Sequence, residues 1–216
     1  MSISKNLSNL NNSLENSVKL IAVSKTKSNQ EIMEAYNQGQ RAFGENKAQE
    51  LSAKHEALPK DIEWHMIGHL QRNKVKYIVP FINLIHSVDS LRLIKKIDEE
   101  AKLINNSVNI LLQVKISREV SKYGFSFAEL NSFLNSSYPG QYQNINIQGL
   151  MGMATFTNDK DMIENEFKKL NEIYNRFKSK YNFNTLSIGM SGDYRIAIEN
   201  GSNMLRLGSV IFGSRV

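Results

Sequence analysis

Eight short apolar runs alternate along the chain with longer segments of helical periodicity, and this alternation constrains the fold more than any other feature. The runs cover residues 20–24, 42–44, 64–68, 84–87, 108–116, 145–151, 185–189 and 204–208. Strands that alternate with helices usually form a parallel sheet. Eight such units in 216 residues predict an α/β fold of the (β/α)8 TIM-barrel type. Periodicity alone cannot show closure, so an open doubly wound sheet is the alternative.

The segments between the runs carry helix signals. The pattern from Ser28 to Glu31 is a capping box, and it predicts a helix that ends near Gly39. Two further segments place apolar residues three and four positions apart, which is the spacing of one buried helix face. These faces contain Ile94, Ile97, Ala101 and Ile104 in one segment, and Ile163, Phe167, Leu170, Tyr174 and Phe177 in the other. We expect both faces to cover the sheet.

The composition indicates a soluble globular protein with a single domain over residues 1–216. Hydrophobic residues make up 41% of the chain, and its 3 prolines mark no linker. The polar opening segment lacks the apolar stretch of a signal peptide or membrane helix, and the chain has no cysteine. We therefore expect a cytoplasmic protein with no membrane partner. The formal charge of +6 is dispersed along the chain, which favours a solvated basic surface over a nucleic-acid partner.

Lys25 stands where the first apolar run ends. Side chains alternate along a strand, so Ile21, Val23 and Lys25 share a face, and the amine would lie at the mouth of the barrel. Active sites of this fold gather at that end of the strands. Partial burial lowers the pKa of a lysine and exposes a nucleophilic amine that can condense with an aldehyde. The alternative is an ordinary exposed lysine at the end of a strand.

Two Gly/Ser elements near the C-terminus indicate a phosphate site. Ser191-Gly192-Asp193 leads into a short helix, and Gly208-Ser209 follows the last strand. The loops after strands seven and eight of such barrels frequently bind phosphate, although each element could be an ordinary tight turn. An amine that can form a Schiff base, together with a phosphate site, is what pyridoxal 5′-phosphate (PLP) requires. The residues therefore predict PLP as the cofactor.

Arg206 lies two positions before Gly208 and shares its face. A guanidinium stays protonated, so beside the pyridine nitrogen of PLP it would discourage protonation of the ring and weaken its use as an electron sink. The alternative is a pairing of Arg206 with a carboxylate at the rim of the barrel.

The four histidines do not form a convincing metal site. His65 and His69 are four positions apart, but the residues between them read as a strand that turns into a loop, and no further ligand completes a set. We expect His55 and His86 to be surface or core residues, and we predict no metal.

Ordered blocks over nearly the whole chain resemble the pyridoxal phosphate homeostasis proteins. The blocks are residues 22–26, 43–46, 49–50, 64–68, 70–71, 73–74, 149–151, 187–191, 206–208 and 211–213. The resemblance implies a barrel like the N-terminal domain of alanine racemase, with PLP held as a Schiff base on Lys25. It also implies phosphate contacts from Ser191, Gly208 and Ser209, with Arg206 near the pyridine nitrogen and Asn46 beside the cofactor. The segment 117–124 is similar to the family's loop after strand five, and we assign it no role.

Family members are regarded as carriers or regulators of intracellular PLP without established turnover. The resemblance therefore implies a non-catalytic protein whose partners are PLP and candidate PLP-dependent apo-enzymes. We expect a monomer. The competing hypothesis is an amino-acid racemase, which needs a second base opposite Lys25. In alanine racemases a tyrosine of a separate C-terminal domain supplies that base, and we expect no such domain beyond Val216. Tyr123 or Tyr194 could substitute. A purely structural module with an empty barrel is the third possibility.

Overall fold

The barrel is seen in a computed structural model that describes residues 2–119 and 123–213. Within these residues eight parallel strands follow one another around a closed barrel in chain order. Pairing of the first strand with the last, from Lys19 opposite Met204 to Ala22 opposite Leu207, completes the closure. This pairing confirms the TIM barrel and excludes the open sheet. The strands are β1 (Lys19–Val23), β2 (Ala42–Glu45), β3 (Glu63–Met66), β4 (Leu84–Val88), β5 (Val108–Val114), β6 (Ile145–Gly152), β7 (Thr185–Ser187) and β8 (Met204–Leu207).

Helices cover the outside of the barrel. The predicted capping box is present at Ser28, whose hydroxyl accepts from the Glu31 N–H while the Glu31 carboxylate accepts from the Ser28 N–H. No helix in the described parts of the chain is long and apolar enough to cross a membrane. The helices are α1 (Ile3–Ser13), α2 (Asn29–Asn37), α3 (Ala48–Ala57), α4 (Val75–Ile78), α5 (Leu91–Leu103), α6 (Phe127–Asn135), α7 (Lys160–Tyr181), α8 (Tyr194–Glu199) and α9 (Ser209–Phe212). Short 3₁₀ turns occupy Arg72–Lys74 and Tyr138–Gln141.

Two helical details depart from the sequence analysis. The buried face of α7 is as predicted, but α5 ends at Leu103, so Ile104 is its C-cap and is largely exposed rather than part of the buried face. The polar opening segment forms α1, which was not predicted. The buried residues of α1 are Ile3, Leu7 and Leu10, and the side-chain amide of Asn6 donates to the carbonyl of Ile211. Helix α1 therefore packs against α9.

Alternation along the strands separates two apolar regions. Residues on the outward faces pack against the helices, whereas a smaller cluster consists of Ile21, Ala42, Leu84, Leu111, Met151 and Met204. These six come from the strands' inward faces, because they alternate with residues that contact the helical layer. Residues two positions farther along share that orientation, which places His86 after Leu84 and Arg206 after Met204 in the barrel interior. The polar site is therefore built directly above a layer of apolar side chains.

Candidate functional site

Lys25 lies in a tight turn at the carboxyl end of β1. The Ser24 N–H donates to the carbonyl of Gly44 at 3.0 Å, and the Lys27 N–H returns to the carbonyl of Ser24 at 2.9 Å. Between them Thr26 has a φ of 65°, which is unusual for a β-branched residue. Lys25 itself is half-buried, as predicted for a lysine at the barrel mouth. The turn that contains Lys25 thus has a fixed backbone conformation, and at Thr26 this conformation is one that local preference alone would not select.

A buried ionic cluster from α3 and β2 holds this turn. The Lys54 ammonium has three N–H donors, and three oxygens lie within hydrogen-bond distance: the carbonyl of Ser24 at 2.8 Å, Glu45 Oε1 at 2.8 Å and Glu50 Oε1 at 2.7 Å. Glu50 Oε1 also accepts from the Thr26 N–H at 2.7 Å. The cluster therefore fixes the residues on both sides of the predicted cofactor lysine. Sequence reasoning did not predict it.

The two carboxylates of the cluster differ in their electrostatics. Glu45 is fully buried, and this burial raises its pKa although hydrogen bonds from Lys54 and Ser24 oppose the shift. Its second oxygen, Oε2, has no hydrogen-bond partner among the described residues. Burial would also raise the pKa of Glu50, but hydrogen bonds from Lys54 and the Thr26 N–H outweigh it, and the net pKa is lowered. Glu50 is thus the better-stabilised anion of the two.

The two predicted phosphate elements lie side by side. The Gly208 N–H donates to Ser191 Oγ at 3.2 Å, which joins the loop after β7 to the end of β8. A Cβ built on Gly208 would lie 3.5 Å from the Cβ of Val23, two residues before Lys25. Ser209 is exposed beside them. The first and last strands therefore bring the lysine and the phosphate elements to one end of the barrel.

Arg206 is a buried cation inside the barrel. Its Nη1 donates to the carbonyl and the hydroxyl of Ser187 at 2.7 Å and 2.6 Å, and its Nη2 donates to the carbonyl of Gly152 at 2.9 Å. Desolvation lowers the pKa of Arg206 to about 10, an effect that the charge of Asp193 partly offsets. The guanidinium forms no salt bridge with a carboxylate of the described residues. The predicted alternative of a carboxylate partner at the rim is therefore not what these contacts show.

Two buried histidines extend the contacts of Arg206 across the interior. His86 Nδ1 lies 3.1 Å from Ser187 Oγ, and His86 Nε2 lies 2.9 Å from His65 Nδ1. Desolvation lowers the pKa of His65 to about 3, and it lowers the pKa of His86 well below the ordinary value with the help of the neighbouring positive charges. Both rings are therefore neutral near pH 7. His86 is the core histidine that the sequence allowed, while half-buried His55 stacks on Phe81.

Asn46 and His69 follow β2 and β3 at the same end of the barrel. Asn46 is half-buried, and its backbone passes so close to Gly68 that a Cβ there would lie 2.4 Å from the Asn46 carbonyl oxygen. His69 Nδ1 lies 3.0 Å from Asp89 Oδ2, and its ring stacks on Tyr123 with centroids 3.9 Å apart. His65 and His69 thus have separate partners.

The remaining predictions on this end of the barrel have mixed outcomes. The described residues contain no group of three or more His, Cys, Asp or Glu that could hold a metal ion. Positions 120–122 of the loop that resembles the family's loop after strand five lie outside the described residues. The roles predicted for Lys25, Asn46, Ser191, Arg206, Gly208 and Ser209 are not tested by their placement alone.

The sequence and fold are similar to those of known proteins. The family model described as "Alanine racemase, N-terminal domain" matches residues 1–216. A pyridoxal phosphate homeostasis protein of Aquifex aeolicus is 37% identical over 204 residues, which cover 93% of this chain and 89% of that protein. A protein of the same name from Synechocystis is 39% identical over 205 residues, covering 93% of each chain.

Solved structures agree with these relatives. PipY of Synechococcus elongatus, determined without PLP, has a TM-score of 0.93 and 35% identity, with 98% of this chain and 100% of that chain covered. The PLP-bound form of PipY has a TM-score of 0.89 at 34% identity with the same coverage. An alanine racemase of Clostridium difficile shares the fold at 15% identity, with a TM-score of 0.76 over 99% of this chain and 56% of that one. By its match to the family model and its identity to these relatives, the chain belongs to the pyridoxal phosphate homeostasis protein family.

Proposed function

We propose that this protein binds PLP at the carboxyl end of its barrel and takes part in PLP homeostasis. The observation that carries the proposal is the convergence of Lys25 with Ser191 and Gly208 through the pairing of β1 with β8. Val23, two residues before Lys25, and the Gly/Ser elements come from opposite ends of the sequence and lie at the same end of the barrel. The relatives named for PLP homeostasis and the PLP-bound structure of PipY support the same ligand.

The phosphate elements fit an anion. A Cβ on Gly208 would make only an ordinary contact of 3.5 Å with Val23, and a Cβ on Gly192 would meet nothing within 4 Å. Packing within the protein therefore does not require glycine at either position, whereas close approach of a ligand to the backbone would. Ser191 Oγ accepts from the Gly208 N–H, so its own proton can be donated to a phosphate oxygen. We propose Ser191, Gly208 and Ser209 as the phosphate-binding residues.

The other residues divide the remaining tasks. When bound, PLP supplies an aldehyde that condenses with a primary amine, and we propose Lys25 as that amine. Glu50 and Lys54 fix the backbone around it. Arg206 remains a cation in the interior and would oppose protonation of a ring nitrogen nearby. Asn46 would supply a polar contact beside the cofactor. These residues bind and orient a cofactor while limiting its use as an electron sink.

We propose binding rather than turnover as the physiological role. Racemisation requires a second base opposite Lys25. Of the two tyrosines considered for it, Tyr123 stacks on His69 and Tyr194 is the first residue of α8. A direct test is the exchange of amino-acid α-protons in deuterated water. We expect no exchange on the scale of ordinary enzymes, about 1 per second or more. Exchange at such a rate, lost in Lys25→Ala, would establish a racemase-like enzyme instead.

The binding site is tested by chemical fixation. Purified protein is mixed with PLP, treated with borohydride and digested, and the labelled peptide is identified by mass spectrometry. We expect the label on Lys25, and Lys27 and Lys54, which lie close by and pair with Glu31 and with the ionic cluster, serve as internal comparisons that should stay unlabelled. A label on another lysine would move the site. Separately, Ser191→Asp and Ser209→Asp should weaken PLP affinity by repulsion between like charges, and unchanged affinity in both would place the phosphate elsewhere.

A further inference from the structure

We infer that Arg206, Ser187, His86 and His65 form one directional hydrogen-bond chain, in which Ser187 and His86 act as positioning residues for the Arg206 guanidinium. The chain runs from β8 through β7 to β4 and β3, and all four side chains are buried. It lies on the interior side of the strands that carry the proposed site. Its functional part rests on the proposed PLP binding, whereas its hydrogen-bond direction does not.

The direction is set at the arginine. A guanidinium has donors only, so Ser187 Oγ must accept from Arg206. The hydroxyl proton of Ser187 then needs an acceptor, and among the described residues His86 Nδ1 is the one within reach. A neutral His86 that accepts at Nδ1 carries its proton on Nε2 and donates to His65 Nδ1. His65 in turn carries its proton on Nε2. Both histidines are therefore assigned as Nε2–H tautomers.

The reverse direction leaves more polar groups unsatisfied. In the assigned direction one group, the buried His65 Nε2–H, has no partner among the described residues. If His65 donated to His86 and His86 to Ser187, His65 Nε2 would still be unpartnered, and the Ser187 hydroxyl proton would also lose its acceptor. An unsatisfied buried donor costs about 1–3 kcal/mol. The assigned direction is therefore favoured, because the reverse direction also leaves the Ser187 hydroxyl proton without an acceptor.

The hydrogen-bond chain fixes the orientation of the Arg206 guanidinium. Because His86 engages the proton of Ser187, the serine oxygen can present only lone pairs to the guanidinium. Together with the carbonyl of Ser187 and that of Gly152 it occupies three of the five N–H donors. The hydrogen bonds among the described residues leave the other two N–H donors for an acceptor on a ligand. The guanidinium is thereby held in one orientation by uncharged groups, and no carboxylate of the described residues forms a salt bridge with it.

The tautomers can be measured without any cofactor. Long-range ¹H–¹⁵N NMR spectra of the ligand-free protein distinguish protonated from unprotonated ring nitrogens. We expect both His65 and His86 to be neutral with protons on Nε2. A proton on Nδ1 of either ring would overturn the directional chain, whether or not the protein binds PLP.

The positioning role is tested by PLP titration of variants. We expect affinity to fall about tenfold in Ser187→Ala and less in His86→Phe and His65→Phe, in that order. The visible absorption band of the bound cofactor should shift in the same order. The matched controls are Ser202→Ala and His55→Phe. Ser202 is also buried near β7 and β8, but its hydroxyl donates to backbone carbonyls that are not part of the hydrogen-bond chain.

The order of the effects separates positioning from packing. If the residues only filled space, the histidine variants would perturb the protein more than the serine variant, because they introduce a larger ring into a packed interior whereas Ser187→Ala removes a single oxygen. Equal affinity and an unshifted band in Ser187→Ala would overturn the positioning role. Ser187→Thr retains a hydroxyl and should restore most of the affinity, which covers the case in which Ser187→Ala folds poorly. Failure of the wild-type protein to bind PLP would instead refute the proposed function.

Discussion

The two sides of the proposed site are supported by different kinds of polar network. Beneath the turn that carries Lys25, the ionic cluster joins Lys54 to Glu45 and Glu50. Beneath the phosphate elements, Arg206 is held by neutral groups, which are Ser187 and backbone carbonyls followed by two neutral histidines. One network pairs opposite charges directly, and the other holds a cation that forms no salt bridge with the residues the structure describes.

The two networks differ because one maintains a strained turn and the other orients a cation. The turn around Lys25 includes Thr26 in a left-handed conformation that costs free energy, and charge-assisted hydrogen bonds are strong enough to maintain it. Arg206 by contrast can act on a ligand through its charge only if no carboxylate neutralises that charge in a salt bridge. Neutral acceptors orient it and leave its charge intact. The two networks should therefore respond differently to the loss of a partner and to pH.

The largest effect is expected from breaking the ionic cluster. Lys54→Met leaves Glu45 and Glu50 without their cation in a buried site, and removal of one partner of a buried ion pair costs about 3–5 kcal/mol. Chemical denaturation of the ligand-free protein measures the change. Lys95→Met is the control, because Lys95 forms an exposed pair with Glu99 at 3.9 Å and its loss should cost at most about 1 kcal/mol.

A double variant sharpens this expectation. Adding Glu45→Gln to Lys54→Met removes one of the two uncompensated carboxylates, so part of the lost stability should return. If Lys54→Met were no more destabilising than Lys95→Met, the cluster would not be what fixes the Lys25 turn.

The buried histidines and the buried carboxyl of Glu45 should give opposite pH dependences. The unfolded protein protonates histidine below about pH 6.5, whereas buried His65 resists protonation down to about pH 3. Stability should therefore fall as the pH is lowered from 6.5, by about 1.4 kcal/mol per unit for each such histidine, and His86 adds to it in the same direction. Glu45 has a raised pKa, so it stays protonated in the folded state above the unfolded value of 4.5. The stability that protonated Glu45 contributes is therefore lost as the pH rises through its pKa in the folded state.

Denaturation curves measured downward from pH 7 test the sign for the histidines, and curves measured upward from pH 4.5 test the sign for Glu45. His65→Phe should flatten the loss on the acidic side, and Glu45→Gln should remove the opposing slope. His55→Phe is the comparison for a half-buried ring, since burial also lowers the pKa of His55. An unchanged slope in His65→Phe would show that this histidine is not kept neutral by the fold.

The barrel and the residues along its strands were predictable because they follow local periodicities. Alternation placed Arg206 in the barrel interior correctly, and all eight strands start within one residue of the predicted runs. The opening helix was missed because Asn and Ser dominate it, although the spacing of Ile3, Leu7 and Leu10 with Ser2 as the N-cap carries a helix signal. Ile104 was misplaced because periodicity does not mark the end of a helix.

The supporting networks were not predictable, because their members are distant in sequence. His65 and His86 are 21 positions apart and Ser187 lies 101 positions beyond His86, so only closure of the barrel makes them neighbours. Alternation alone could have indicated that His65 and His86 face inward from adjacent strands. Nothing local indicates that Lys54 reaches back to the carbonyl of Ser24. Long-range contacts of this kind depend on the assembled fold.

The smallest effect on stability is expected at the phosphate side, from Gly208→Ala. The backbone of Gly208 has a φ of −116°, which alanine adopts, and the added Cβ would make only ordinary contacts with Val23. The free energy of unfolding should therefore change by no more than about 0.5 kcal/mol, while PLP affinity should fall at least about tenfold because the methyl group occupies space that the phosphate needs. Gly68→Ala is the contrasting variant, since its Cβ would lie 2.4 Å from the Asn46 carbonyl oxygen and should destabilise the protein itself. If Gly208→Ala left PLP affinity unchanged, the phosphate would bind elsewhere and the two networks would not flank one ligand.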